Sequence, residues 1–178
     1  MADWFCPSLL VPEYERDLIA EWVEAQCPWP EGTKFKDPDT YHITLVYASV
    51  PHTGKLARQF MYEMGMDNWE HGVRVNGVQK FTGYNGRTPV VVTLHGALFL
   101  LAANHYLARA RALGLNPSEH GPYKPHITVA EIPGEAEFDP FSLPLPGPDS
   151  ALGFPLKFMT PRKPIELHSF YQDRKAGV

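Results

Sequence analysis

The sequence predicts an α+β fold made of two similar β-α-β halves that face each other across a central cleft. A short apolar strand with a His-x-Thr triplet occurs twice, beginning at His42 and at His126. Each triplet follows a helix pattern that is itself preceded by an apolar strand pattern. Val11 ends the first of these earlier strands, 31 positions before His42, and Leu94 ends the second, 32 positions before His126. This order and spacing indicate an internal repeat.

The two triplets lie in segments typical of strands. Residues 41–47 and 124–130 are rich in β-branched and aromatic residues and contain no glycine. Side chains alternate faces along a strand, so the histidine and threonine of each triplet share one face. If the two halves face each other across a pseudo-two-fold axis, both triplets meet in the cleft.

The first half is predicted to contain a strand over 8–11 and an amphipathic helix over 13–26. A polar link over 34–40 then leads to the first triplet strand. A helix over 51–66 and a strand over 72–81 follow.

Glycine marks two further positions. Asn76-Gly77 is expected to form a turn or a bulge inside the 72–81 strand. Gly114 is well placed to end the helix predicted over 97–113, because glycine tolerates the left-handed conformation of a helix terminus. One face of this helix is expected to be lined by Leu98, Leu101, His105, Ala108 and Ala112.

The second half runs from a strongly apolar strand over 89–94, through that helix and a loop over 116–123, to the second triplet strand. Residues 133–153 carry five prolines and are predicted to form an irregular surface loop, either a lid over the cleft or a partner-binding loop. Two more strands are predicted over 154–159 and 164–171.

The chain is expected to be a single bilobal domain over 1–178, with repeats at roughly 8–50 and 88–132. Its 44% of hydrophobic residues supports a sizeable core, and its net charge of −4 argues against general DNA binding. A small anionic ligand in a local pocket remains compatible with that charge.

Cys6 and Cys27 fit no zinc spacing and are expected to be small buried side chains in a reducing compartment. The start of the chain lacks the basic residues of a signal peptide. The apolar run over 90–103 is too short for a membrane span. We therefore expect a soluble, cytoplasmic protein.

Two His-x-Thr pairs in one cleft suit a specific chemistry. Imidazoles with pKa values of about 6.5 can hold opposite protonation states near neutral pH, so one accepts a proton while the other donates one. Threonine hydroxyls can donate hydrogen bonds to an anion between them. The pattern favours in-line attack at a phosphodiester without a metal ion.

The motifs resemble those of the 2H phosphoesterase superfamily, which includes the LigT-like RNA 2′,3′-cyclic phosphodiesterases. Each triplet is followed by an apolar residue, giving His42-Ile43-Thr44-Leu45 and His126-Ile127-Thr128-Val129, and Lys124-Pro125 leads into the second as in the family. The resemblance implies antiparallel sheets around the cleft and phosphodiester cleavage without metal or cofactor.

Substrates in this superfamily include RNA 2′,3′-cyclic phosphate ends, small cyclic phosphates and, in phage anti-defence nucleases, cyclic oligonucleotide messengers. The resemblance implies one of these for this chain. The compact chain and residues 41–47 resemble the phage branch most. A phage-encoded enzyme would act in the host cytoplasm. The natural substrate, the linkage cleaved and the oligomeric state stay open.

By the same resemblance, His42 and His126 are the general acid and base, with the assignment between them open. Thr44 and Thr128 are expected to bind the phosphate. The nucleophile would be water for a cyclic phosphate and the ribose 2′-hydroxyl for a 3′-5′ linkage.

Four further residues are candidates for substrate binding. Tyr41, Tyr123 and Trp29 could each stack on a base, or could serve ordinary packing and hydrogen bonding. Lys124 could add positive charge for the phosphate or could be a solvated surface lysine.

Two other functions are compatible with the sequence. The chain could be a non-catalytic module that sequesters a nucleotide or binds an RNA end, or a structural subunit with no small ligand. Intact histidine and threonine in both motifs argue against the binding module, because binding alone does not need two titratable groups.

Overall fold

The computed structural model describes residues 3–5, 8–11, 13–26, 28–46, 48–50, 71–117, 122–143 and 155–158. The strands are β1 (Asp3–Phe5), β2 (Ser8–Leu10), β3 (Lys34–Phe35), β4 (His42–Thr44), β5 (Ala48–Val50), β6 (His71–Lys80), β7 (Arg87–His95), β8 (Asn116–Pro117), β9 (His126–Pro133) and β10 (Pro155–Phe158). The helices are α1 (Glu13–Ala25) and α2 (Ala97–Ala112), and short 3₁₀ turns lie at Pro38–Thr40 and Pro140–Ser142.

The strands form three sheets. A five-stranded sheet has the order β10-β6-β7-β9-β3, a three-stranded sheet the order β1-β5-β8, and β2 pairs with β4. Each strand pair among the described residues is antiparallel. Together with the two helices, this confirms the predicted α+β class.

Strand register shows the repeat at the level of single residues. In the first half Leu10 on β2 lies opposite His42 on β4. In the second half Thr93 on β7 lies opposite His126 on β9. Each triplet strand is thus paired, in the same register, with the strand that precedes its half's helix.

Backbone hydrogen bonds repeat in the same way. The Val11 amide donates to the Tyr41 carbonyl at 3.0 Å, and the Leu94 amide donates to the Pro125 carbonyl at 2.9 Å. Val11 and Leu94 are the two positions that the sequence spacing made equivalent. The match in spacing therefore reflects a match in structure.

The two halves exchange short edge strands. Lys34 on β3, from the first half, lies opposite Glu131 on β9. Asn116 on β8, from the second half, lies opposite Ser49 on β5. Each half thus extends the other's sheet just beyond the triplet, which ties the two triplet strands into one structure.

Both exchanged strands fall where the sequence predicted links or loops, over 34–40 and 116–123, so those predictions were wrong at these positions. Strands of two residues carry no measurable periodicity. Their structure comes from a long-range partner, which local pattern cannot supply.

The strand β7 forms the centre of the core. It lies between β6 and β9, so Val90, Val91 and Val92 are each 0% exposed. The predicted bulge at Asn76-Gly77 is confirmed, because the β6–β7 register shifts between Val75 and Gly77. A sheet covered on both faces explains the continuous apolar run of this strand.

The boundaries of α2 agree with those predicted from the sequence. α2 ends at Ala112 and Gly114 follows with φ 78°, as expected for a glycine stop. Of the residues predicted to line one face, Leu101 is 66% exposed, and His105, Ala108 and Ala112 are also exposed, so this face points away from the core.

The buried side chains of α2 are instead Ala103, Tyr106 and Ala110. This helix carries apolar residues all round, so period alone does not decide which side faces the sheet. Packing of the large Tyr106 ring into the core decided it. The side chain of Leu98 lies outside the described residues.

The remaining strand and helix predictions have mixed outcomes. β10 confirms a strand within 154–159, and the predicted loop after β9 contains the 3₁₀ turn at Pro140–Ser142. The helix over 51–66, the strand over 164–171 and the rest of the Pro-rich segment from 144 lie outside the described residues. Cys6 and Cys27 lie outside them as well.

Candidate active site

The fold brings the two triplets together. His42 opens β4 and His126 opens β9. The hydroxyl of Tyr123, just before the second triplet, donates a hydrogen bond to the Thr44 carbonyl of the first at 2.9 Å. The positive charge of His42 also contributes to lowering the pKa of His126, so the two imidazoles lie within electrostatic reach of each other.

Both imidazoles are held by the same local contact. His42 Nδ1 lies 2.8 Å from the Thr40 carbonyl oxygen, and His126 Nδ1 lies 2.7 Å from the Lys124 carbonyl oxygen. A carbonyl only accepts, so Nδ1 carries the proton in each ring. In the neutral form Nε2 is then the atom with the lone pair, and it is the atom that can exchange a proton with a ligand.

The threonines occupy the positions that strand alternation predicts. His42 and Thr44 are half-buried while Ile43 between them is 0% exposed. His126 and Thr128 repeat this pattern around Ile127. In each half the polar pair therefore shares one face of its strand, and the isoleucine enters the core from the other.

The electrostatic environment of His126 keeps it uncharged. Burial lowers its pKa most strongly, and the charge of His42 lowers it further, while the bond to the Lys124 carbonyl partly opposes both. The net effect is a pKa below the ordinary value of 6.5. At neutral pH the imidazole of His126 is accordingly mostly uncharged.

Sequence reasoning missed Phe81. Its ring centroid lies 4.5 Å from that of His126, with the two ring planes tilted by 58°. Phe81 follows the last residue of β6, which is separated from β9 by β7. No sequence pattern joins residues two strands apart, so only the sheet order reveals this neighbour.

Two of the candidate base-stacking residues take part in packing within the protein. Tyr41 is 2% exposed, and burial raises the pKa of its phenol to about 12. Trp29 donates from Nε1 to the Val23 carbonyl at 3.0 Å, and its ring packs against Phe138 and Phe35 with centroid distances of 5.0 and 5.4 Å. Tyr41 is a core residue and Trp29 anchors a loop, which agrees with the packing alternative for both, and stacking on a base stays a prediction.

Tyr123 and Lys124 lie at the site. Tyr123 is half-buried, and burial raises the pKa of its phenol, which agrees with a hydroxyl used as a donor to Thr44. Lys124 has an exposed side chain, and its carbonyl orients His126. Base stacking by Tyr123 and phosphate binding by the Lys124 ammonium stay predictions.

Within the described residues, no group of three or more His, Cys, Asp or Glu side chains is arranged to hold a metal ion. The same part of the chain contains no helix with the length and apolar character needed to cross a membrane.

Several solved structures share this architecture. A phosphoesterase aligns with a TM-score of 0.60 and 21% identity, covering 87% of this chain and 83% of that one. LigT from E. coli, crystallised with 3′-AMP, aligns with a TM-score of 0.51 and 20% identity over 87% of this chain and 82% of LigT. The PDE domain of MHV ns2 aligns with a TM-score of 0.50 and 16% identity over 89% of this chain and 99% of that domain.

No protein-family model matches the sequence, and no curated protein matches it either. The structural likenesses confirm the resemblance at the level of the fold: this chain has the α+β fold of the LigT-like 2H phosphoesterases.

Proposed function

We propose that this chain is a metal-independent 2H-type phosphodiesterase whose acid–base pair is His42 and His126. The observation that carries this function is the matched pair of imidazoles. Each has its Nδ1 tied to the carbonyl two residues upstream, and both belong to strands joined through Tyr123 and Thr44. Acid–base catalysis at one phosphorus requires two titratable groups, one to accept a proton from the nucleophile and one to donate a proton to the leaving oxygen.

The reaction follows from the protonation states. Nε2 of the neutral histidine takes a proton from the nucleophile as its oxygen attacks phosphorus. Nε2 of the protonated histidine gives its proton to the leaving oxygen as the P–O bond breaks. The hydroxyls of Thr44 and Thr128 donate to the non-bridging oxygens, whose charge is concentrated in the transition state. The two histidines exchange protonation states, and solvent restores them.

The substrate class we propose is a nucleotide phosphodiester: a cyclic nucleotide, a cyclic oligonucleotide such as an antiviral defence messenger, or an RNA 2′,3′-cyclic phosphate end. Support comes from the solved LigT structures, which hold 3′-AMP, ATP, NADP⁺ or phosphate. Water is the nucleophile for a cyclic phosphate, and a ribose 2′-hydroxyl can serve for a 3′-5′ linkage. The exposed Lys124, two residues before His126, supplies positive charge for the phosphate in this proposal.

The exchange of β3 and β8 between the halves supports a single bilobal domain as the active unit. The same exchange places the two triplets next to the shared edges. Deleting either half would therefore remove a strand from the other half's sheet.

The test is a turnover assay in the presence of EDTA. Wild type and the His42→Ala, His126→Ala double variant are incubated with 2′,3′-cyclic mononucleotides, RNA with a cyclic-phosphate end, and cyclic di- and trinucleotides. His105→Ala is the matched control, because this histidine is exposed on α2. We expect wild type and the control to cleave one class and the double variant to cleave none.

Two outcomes would contradict this function. Cleavage that EDTA abolishes would mean that a metal ion does the chemistry. Tight binding of one ligand without turnover by wild type would instead identify a sequestering module, in which the histidines serve recognition.

A further inference from the structure

We infer that Phe81 is a positioning residue that packs on the imidazole of His126, excludes water from it and makes it the proton acceptor of the pair. This role rests on the proposed phosphodiesterase function for its catalytic meaning. Its physical content, an imidazole partly shielded from water and kept neutral by one apolar ring, is measurable without any substrate.

The contact is built by the sheet. The Phe81 amide donates to the Pro89 carbonyl at 3.0 Å, which continues the β6–β7 ladder one residue past Lys80 and holds the backbone of Phe81 in place. The ring then lies with its centroid 4.5 Å from that of His126. That separation is at the close end of the range for aromatic pairs in contact.

The other neighbours of His126 leave few polar contacts for its ring. Nδ1 is bonded to the Lys124 carbonyl. Thr93, directly opposite on β7, is 4% exposed and donates its hydroxyl to the Gly77 carbonyl at 3.1 Å. Phe81 covers the His126 ring with apolar surface, so removing the Phe81 side chain would expose that ring to water.

Two physical effects of Phe81 on His126 have opposite signs. Excluding water disfavours the imidazolium and lowers the pKa of His126. An aromatic face near a cation stabilises it and would raise that pKa. Burial is the largest influence on the pKa of His126 and lowers it. We expect this desolvation to exceed the stabilisation of the imidazolium by the aromatic face of Phe81.

The charged surroundings are consistent with this. Among the ionisable groups of the described residues, His42 on β4 is the one whose charge acts on the pKa of His126, and it also lowers it. His126 is then the neutral histidine, shielded from water by Phe81, and it accepts the proton of the nucleophile.

The experiment is an NMR titration of the His126 ring in four chains: wild type, Phe81→Ala, Phe81→Leu and Phe35→Ala. Phe81→Ala admits water, and we expect the pKa of His126 to rise toward 6.5. Phe81→Leu keeps apolar volume without an aromatic face, so we expect a pKa close to wild type. Phe35→Ala removes the same side chain where it is 53% exposed and packs on Trp29, and should leave His126 unchanged.

The role of Phe81 is overturned if the pKa of His126 stays at its wild-type value in Phe81→Ala, or falls. A fall would show that the aromatic face stabilises the cation. Phe81→Gln, which fills the space with a polar group, serves the same purpose as Phe81→Ala and is measured beside it, so a folding failure of the alanine variant does not remove the test.

Kinetics connect this result to function. A base with a raised pKa is less available in acid, so Phe81→Ala should lose activity up to about fourfold at roughly pH 6 and little at roughly pH 8. Phe81→Leu should restore the wild-type profile. If Phe81→Ala raises the pKa of His126 but the wild-type protein cleaves no substrate, the phosphodiesterase function is contradicted and the role of Phe81 stands. If the wild-type protein is active but Phe81→Ala leaves the pKa of His126 unchanged, the role of Phe81 is contradicted and the phosphodiesterase function stands.

Discussion

The two His-x-Thr triplets have the same local structure in different surroundings. In both, the imidazole Nδ1 is bound to the carbonyl two residues upstream, and an isoleucine is fully buried between the polar pair. However, β4 has three residues and pairs with β2, whereas β9 has eight and lies between β7 and β3 in the larger sheet.

The difference reaches the histidines through their cross-strand neighbours. Opposite His42 is Leu10, and opposite His126 is Thr93, whose hydroxyl is bonded to the bulge at Gly77. The β6 strand that provides the bulge also leads to Phe81 beside His126. Local sequence therefore orients the two imidazoles alike, while the larger sheet places Phe81 beside His126.

The largest effect is expected from removing either imidazole. His42→Ala and His126→Ala should each lower the single-turnover rate by about 100- to 10,000-fold, because each loses one proton transfer. The double variant should be little slower than the slower single variant, because the two groups act as a unit. If one single variant retained full activity, the two triplets would not be equal partners in catalysis.

Removing the threonine hydroxyls should cost less. Thr44→Val and Thr128→Val keep the shape of the side chain and delete one donor to the phosphate, which we expect to lower kcat by about 100-fold each. Thr44→Ser and Thr128→Ser should restore most of the rate. Unequal losses in the two halves would show that the phosphate lies closer to one triplet.

Tyr123→Phe tests the bond between the two triplets. It leaves the half-buried Thr44 carbonyl without this donor and should lower the free energy of unfolding by about 1 kcal/mol. Tyr84→Phe is the matched control, since it removes a hydroxyl from an exposed tyrosine bonded to Glu131. Urea unfolding of both variants measures the difference, and an equal loss in the two would argue against a special role for Tyr123.

The smallest effect concerns the edge where β3 joins β9. Burial alone would raise the pKa of Glu131, but Lys36, Tyr84 and Arg87 together hold it below its usual value. Glu131 therefore adds stability that is fully present above its unfolded-state pKa and is lost as pH falls through its lower folded-state pKa.

Glu131→Gln should remove this acid dependence and cost less than about 1 kcal/mol at neutral pH. Unfolding midpoints measured from neutral to acidic pH check the result, with Glu135→Gln as the control at an exposed position of the following turn. A steeper acid dependence in Glu131→Gln than in wild type would contradict the assigned direction.

Residue pattern alone was sufficient for much of the site. Alternation within each triplet correctly placed His42 with Thr44 and His126 with Thr128 on one strand face each, because strand geometry repeats every two residues. Spacing correctly paired Val11 with Leu94, and Gly114 and Gly77 marked the helix end and the bulge. These features depend on contacts within a few positions along the chain or on one repeated length.

Tertiary structure decided the rest. Sequence did not distinguish a tyrosine that stacks on a base from one in the core, and Tyr41 proved to be in the core. It did not reveal the exchanged strands β3 and β8, the buried face of α2, or Phe81 beside His126. Each depends on which distant segment a residue meets. Hydrogen bonding and side-chain period act locally, whereas burial and water exclusion depend on how the whole chain packs.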